Sequence, residues 1–196
     1  MNWDEFIGQV NSYNELFKAK VIMSDLYVSW AEYHCQIEKL AVQIDQSQWE
    51  FDHILCLARG GLRVGDMLSR LFDKPLAILA ISSYGGQDFQ QRGNLKIASN
   101  ITMTTDTLSG RILVVDDLVD SGVTLMNTLE WLRQHSEFSI IEVRSAVLWF
   151  KACSAIRPDY YVDFLVDNPW IHQPFEKYEK LKPADLQVVI PNKETA

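Results

Sequence analysis

The sequence predicts an α/β protein with a mostly parallel central sheet flanked by helices. Three observations predict it. Short apolar runs, "HILCLA" (53–58), "PLAILAIS" (75–82), "RILVVDD" (111–117), "IIEVRSAVLWF" (140–150) and "DYYVDFLV" (159–166), have strand length and are largely apolar on both faces. Segments with helical spacing alternate with strands along the chain, as in a sheet covered by helices on both sides. Two runs end in unusual chemistry, one in Arg-Gly-Gly and one in Asp-Asp. Ligands of such sheets bind beyond the carboxyl ends of the strands.

Taken in order, residues 3–17 carry Trp3, Phe6, Ile7, Val10, Tyr13 and Phe17 at helical spacing, an N-terminal helical extension over 1–24. "SWAE" (29–32) is a capping box, with Ser29 as cap and Glu32 reaching back. Trp30, Tyr33, Ile37, Leu40, Ala41 and Ile44 continue it as one helical stripe. After "RGG", Val64, Met67, Leu68 and Leu71 mark a second helix. Residues 83–110 are polar and glycine-bearing and read as a mobile loop or weak hairpin. "VTLMNTLEWLRQH" (123–135) is a helix with Leu125, Leu129 and Leu132 on one side. The main domain spans 25–182, and 183–196 form a terminal segment ending in a polar tail.

The chain has 196 residues, enough for one well-buried domain with appendages. Its net charge of −8 argues against broad nucleic-acid binding, which needs a basic face. Backbone N–H groups still allow one small anion site. No apolar stretch reaches membrane-spanning length, and "MNWDEFIGQV" does not read as a signal peptide. The three cysteines, Cys35, Cys56 and Cys153, are odd in number and lack a CxxC spacing. That argues against a disulfide framework or zinc site and fits a reducing cytoplasm. Cys56 reads as a small core residue. His34, His53, His135 and His172 form no ligand spacing, and His172 reads as a surface or packing residue.

The most informative stretch is "DDLVDSGVT" (116–124). The strand stops at Asp116 and the helix begins near Val123. Gly122 stands where positive φ is easiest. N–H groups from Asp120 to Thr124 can cradle a phosphate at the helix N-terminus, and Ser121 and Thr124 add hydroxyl donors. The Walker pattern and its lysine are missing. Adjacent carboxylates accept from vicinal hydroxyls and can hold Mg²⁺ directly or through its waters. Phosphate cradle plus diol acceptors describes a ribose 5-phosphate site; an Asp-rich helix cap is the plainer alternative. Arg-Gly-Gly alone reads as a strand-to-helix turn.

"VVDDLVDSGVTL" resembles the phosphoribosyl-pyrophosphate (PRPP) motif of type I phosphoribosyltransferases. The resemblance extends over roughly 26–179. "VSWAEYHCQIEKLA", "LARGGLRVGDMLSR", "ISSY", "VDDLVDSG", "WFK", "PDYYVDFLVD" and "WIHQPFE" follow the order and spacing of bacterial xanthine–guanine phosphoribosyltransferases. It implies a Rossmann-like fold with a small hood over 151–182 and a flexible loop over 83–110, begun by Ser82, Ser83 and Tyr84. It implies that Asp116 and Asp117 bind ribose hydroxyls and Mg²⁺, and that Asp120, Ser121, Gly122, Val123 and Thr124 hold the 5′-phosphate. Asp120 resembles the general base beside N7 of a 6-oxopurine. Ala58, Arg59, Gly60 and Gly61 resemble the pyrophosphate loop, whose first peptide, here Ala58–Arg59, is often cis. Lys151 resembles the lysine that bonds purine O6, Trp170 the stacking aromatic, and Ile171 the residue whose carbonyl reads the exocyclic edge.

The resemblance thus implies a cytoplasmic, Mg²⁺-dependent enzyme, a homodimer or homotetramer, whose partners are PRPP and guanine, xanthine or hypoxanthine. Two other readings stand beside it: a phosphoribosyltransferase for another base, and a regulator that senses PRPP or nucleotide without turnover. Val123 departs from the glycine or longer polar residue common among relatives. It is strained if that position needs positive φ and harmless if it begins the helix.

Overall fold

The computed structural model describes residues 25–84 and 94–186. The expected 3–17 helix and the polar tail lie outside them. Within them the strands are β1 (Leu26–Tyr27), β2 (His53–Ala58), β3 (Leu76–Tyr84), β4 (Asn94–Ile97), β5 (Thr102–Met103), β6 (Ser109–Val115), β7 (Leu118–Val119), β8 (Ser139–Lys151), β9 (Tyr160–Leu165) and β10 (Ile171–His172). The α-helices are α1 (Trp30–Gln46), α2 (Leu62–Phe72) and α3 (Val123–Gln134).

The main sheet runs β4-β3-β2-β6-β8-β7, with β5 also on β3 and β9 also on β8. Every pairing among β2, β3, β6, β7, β8 and β9 is parallel; β4 and β5 lie antiparallel to β3. The expected α/β fold is therefore present. Alternation along the strands divides the core between two faces. Ile54, Leu113 and Val115 pack with Tyr33, Ile37, Leu40 and Ile44 of α1 and with Val64 and Leu68 of α2. Leu55, Leu57, Ile112 and Val114 pack with Leu125 and Leu132 of α3.

The capping box of α1 is present: Ser29 Oγ accepts from the Glu32 N–H, and Glu32 accepts from the Ser29 N–H at 2.8 Å. Trp30, first in that stripe and first residue of the helix, is exposed and packs against Phe175 and Arg63. Helix α2 sits close on β2: a Cβ on Gly65 would come within 2.7 Å of Cys56 Cβ.

Over 83–110, where a mobile loop or weak hairpin is expected, the described residues include the antiparallel pair β3–β4 of the hairpin alternative. Ser82, Ser83 and Tyr84 end strand β3, and β4 pairs with them through Lys96, Leu95 and Asn94. Four residues, "NLKI", carry too short an alternation to announce a strand; pairing with β3 makes it one. Residues 85–93 lie outside the described chain. A second, two-stranded sheet joins β1 to β10 in parallel, again too short to read in advance.

On β8, Trp49 Nε1 donates to Glu142 Oε2 at 2.9 Å, and Arg144 Nε donates to Oε1 at 2.9 Å. The indole donor first, then the guanidinium, hold the Glu142 carboxyl below its ordinary 4.5. A depressed carboxylate contributes stability above its unfolded value and loses it as pH falls through the folded one. Glu142→Gln is therefore expected to melt below wild type at pH 7. The gap should close as the pH of the thermal scan falls below 4.5.

Candidate active site

Strands β2 and β6 are parallel neighbours, so the ends of both reach the same edge of the sheet. There the Arg-Gly-Gly turn meets the aspartate pair. A Cβ on Gly60 would lie 2.5 Å from Asp117 Oδ1 and 2.8 Å from Asp116 Oδ1. One on Gly61 would run into the Val115 carbonyl and lie 2.9 Å from the Leu57 carbonyl. Both positions thus have room only for glycine. The Ala58–Arg59 peptide is cis. Arg59 is exposed and its guanidinium reaches Glu179 at 3.5 Å.

Asp116 Oδ1 accepts from the Asp117 N–H at 2.9 Å. Asp117 Oδ1 accepts from the Leu118 N–H at 2.8 Å, and Oδ2 accepts from Gln173 Nε2. Burial first, and then the neighbouring Asp117 charge, push the Asp116 carboxyl well above the ordinary carboxylate range. Burial also raises Asp117, against the opposing hydrogen bond from Gln173. Two desolvated carboxylates side by side are what a hard divalent cation relieves. Mg²⁺ takes one or two carboxylates and completes its shell with waters and substrate oxygens. The pair fits that ion, although no cluster of three or more metal-ligating side chains occurs among the described residues.

From Asp117 the chain enters the 120–124 turn. Gly122 has φ +82°, and a Cβ there would meet Ser154 Oγ at 2.6 Å. Val123 follows as the first residue of α3, so it needs no positive φ and carries no strain. Residues Asp120–Thr124 line a cavity of about 230 Å³ under the unpaired first-turn N–H groups of α3. Lys151, buried at the end of β8, places Nζ 3.4 Å from Asp120 Oδ1. Cys153 Sγ also lies 3.4 Å from that oxygen.

A second cavity, about 910 Å³, is lined by Ala58, Arg59 and Gly60 on one side and by the hood from Trp170 to Lys180 on the other. The two cavities share Leu57, Asp116, Asp117 and Thr124. Trp170 is 47% exposed on the larger one. Asp120 lines the smaller, so the expected base-site residues Trp170 and Asp120 stand on different cavities joined at the aspartate pair. Ile171 is buried in the core. The Leu26 N–H donates to the Trp170 carbonyl and the Val28 N–H to the His172 carbonyl. Alternation along a parallel ladder then turns the N–H and C=O of Ile171 away from β1.

Several site residues gave no advance signal. Gln173 falls inside "WIHQPFE", but nothing in that stretch singles it out. Cys153 joins Asp120 only through the turn after β8. Arg63 lies 4.1 Å over the Phe175 ring and faces the larger cavity. His172 stacks on Tyr27 at 4.3 Å and bonds Asp25 at 3.0 Å, a packing role. The three thiols have distinct surroundings. Cys56 is buried and its thiol is pushed up to about 12 by burial. Burial and Asp120 raise Cys153 too, though it is exposed. A thiol reagent at pH 8 is expected to label Cys35 fastest, Cys153 more slowly, and Cys56 only after denaturation; peptide mapping reads the order.

A family model described as phosphoribosyl transferase domain matches residues 29–180. A xanthine-guanine phosphoribosyltransferase of Idiomarina loihiensis is 30% identical over 156 residues, covering 79% of this chain and 88% of that protein. Among solved structures, a purine phosphoribosyltransferase from Pyrococcus horikoshii superposes with TM-score 0.62 at 29% identity, over 78% of this chain and 94% of the other. A Helicobacter pylori xanthine-guanine-hypoxanthine phosphoribosyltransferase gives 0.60 at 25% identity, over 75% and 90%.

Proposed function

The chain belongs to the phosphoribosyltransferase family, and on that premise we propose that it transfers 5-phosphoribose from PRPP to N9 of a 6-oxopurine, guanine, xanthine or hypoxanthine, and releases pyrophosphate. The observation that carries the purine assignment is the Lys151–Asp120 pair at 3.4 Å beside the phosphate turn. A 6-oxopurine presents an acceptor at O6 and, as the N7–H tautomer, a donor at N7. A cation next to a carboxylate complements that edge. Adenine offers an amine where the lysine needs an acceptor. The purine names of the relatives above support the same reading.

In this reading the 120–124 turn takes the 5′-phosphate with its N–H groups and with the hydroxyls of Ser121 and Thr124. Asp116 and Asp117 accept from the ribose hydroxyls. Arg59 and the N–H groups of Gly60 and Gly61 take the pyrophosphate. Trp170 stacks on the purine, the Ile171 carbonyl accepts from its exocyclic edge, and Lys151 donates to O6. N9 forms the new bond to C1′ as the bond to pyrophosphate breaks, and the N7 proton passes to Asp120. Ser82, Ser83 and Tyr84 lead into the segment that would close over the centre and exclude water from the ribosyl cation. Asp116 and Asp117 would hold Mg²⁺, which when bound neutralises charge on the leaving pyrophosphate. A cytoplasmic location and a homodimer or homotetramer belong to the same proposal; the free cysteines fit the first, and no described helix is long and apolar enough to cross a membrane.

A base panel tests the purine assignment. Guanine, xanthine, hypoxanthine, adenine and uracil are each supplied with PRPP and Mg²⁺, and nucleotide is measured. Turnover confined to the 6-oxopurines is expected. Turnover of adenine or uracil alone would overturn it.

A further inference from the structure

One buried side chain joins the hood to the aspartate pair. Gln173 directly follows β10, two residues beyond Ile171, and is 7% exposed. Its Nε2 donates to Asp117 Oδ2. An ionised carboxylate only accepts, so the amide nitrogen must face it. With the Leu118 N–H on Oδ1 at 2.8 Å, both carboxylate oxygens are held and the group has one orientation. The Asp117 carbonyl is fixed as well: it accepts from the Leu148 N–H at 2.9 Å and the Trp149 N–H at 3.3 Å. Those donors belong to β8, which ends two residues later at Lys151.

Asp117 is therefore a node. One tie runs to the strand that carries Lys151, the other to the strand that follows Trp170. The β8 tie is backbone, between neighbouring strands of one sheet. The hood tie is different. Strand β10 belongs to the separate two-stranded sheet and pairs only with β1 among the described residues. The Gln173 amide is its side-chain bond to the aspartate pair. Gln173 Oε1 is buried without a partner among the described residues, so the bond to Asp117 is what holds the amide there.

We propose that Gln173 is a positioning residue that couples the purine site to the ribose site, by fixing the Asp117 carboxylate relative to Trp170 and Ile171. The proposal rests on the phosphoribosyltransferase reading above. A ligand on Asp117 then sets the hood, and a purine under the hood sets Asp117, so each binds more tightly when the other is present. Such linkage is reciprocal. Losing the amide severs the connection between the two half-sites.

Calorimetry with 9-deazaguanine tests this, because carbon replaces the attacking nitrogen and a ternary complex forms without turnover. Its Kd is measured with and without saturating Mg²⁺ and PRPP, for wild type, Gln173→Leu and Gln173→Asn, each checked for a cooperative melt. Wild type is expected to bind it roughly tenfold more tightly with PRPP present, within the usual range of coupling. Gln173→Leu should lose most of that factor while its Kd without PRPP changes little. Gln173→Asn, an amide one methylene short, should retain part of it; it decides the matter if the leucine variant does not fold. Coupling at the wild-type level in a folded variant overturns the proposal, as does its absence from wild type. A fall in both affinities with no change in coupling also overturns it, since that marks a merely structural residue. Wild type that binds neither ligand overturns the phosphoribosyltransferase reading itself, a result distinct from all of these.

Discussion

Asp120→Asn is expected to lower kcat for a 6-oxopurine by roughly 10²–10⁴-fold, the usual contribution of a positioned general base. The KM for PRPP should change little, because the proposed 5′-phosphate site uses backbone N–H groups of the turn and not this side chain. Asparagine retains the shape and an acceptor oxygen but cannot receive the N7 proton. Loss of fold is a poor explanation for such a drop. Asp120 is 57% exposed at its side chain, and an ion pair with so wet a partner is worth about 1 kcal/mol or less. The melting temperature of the variant should stay within a few degrees of wild type. Steady-state kinetics beside a thermal scan separates the two effects. A variant that keeps wild-type kcat would remove Asp120 from the proton transfer.

Asp116→Asn is expected to raise the stability of the ligand-free protein. In the ligand-free protein, burial and the adjacent Asp117 charge oppose ionisation of Asp116. Asparagine removes the charge and keeps an oxygen able to accept the Asp117 N–H, which now lies 2.9 Å from Oδ1. The ligand-free variant is expected to gain about 1–2 kcal/mol, the size of gain common when a strained functional group is neutralised. PRPP binding should fall steeply, because the proposed function gives this carboxylate the ribose hydroxyls and the cation. A thermal scan and a PRPP titration read the two effects. A variant that is less stable than wild type would mean that the aspartate pair is structural.

The main strands were legible because each is a run of apolar residues of strand length, and burial on both faces forbids polar interruption. "DDLVDSGVT" was legible for a different reason. A turn with positive φ at Gly122, followed at once by helix α3, leaves few other residue choices. The Val123 question was settled by one residue of register. What stayed hidden depends on contacts between distant parts of the chain. β4 is a strand because β3 offers it an edge, and β1 because residues 170–172 return to meet it. Gln173 is one residue among several in "WIHQPFE", and Cys153 has no local pattern. Their importance comes from the atoms opposite them, Asp117 Oδ2 and Asp120 Oδ1. Over 83–110 polarity alone leaves a loop and a hairpin both open, because a short edge strand is often polar; pairing of β4 with β3 favours the hairpin.

Group transfer leaves a stoichiometry that can be read directly. Purified protein is mixed with Mg²⁺, PRPP and hypoxanthine, and nucleotide and pyrophosphate are quantified over time. Many turnovers are expected, with one N9-linked nucleotide formed for each pyrophosphate released and neither formed without the purine. PRPP that binds and is never consumed, or pyrophosphate released without nucleotide, would contradict it.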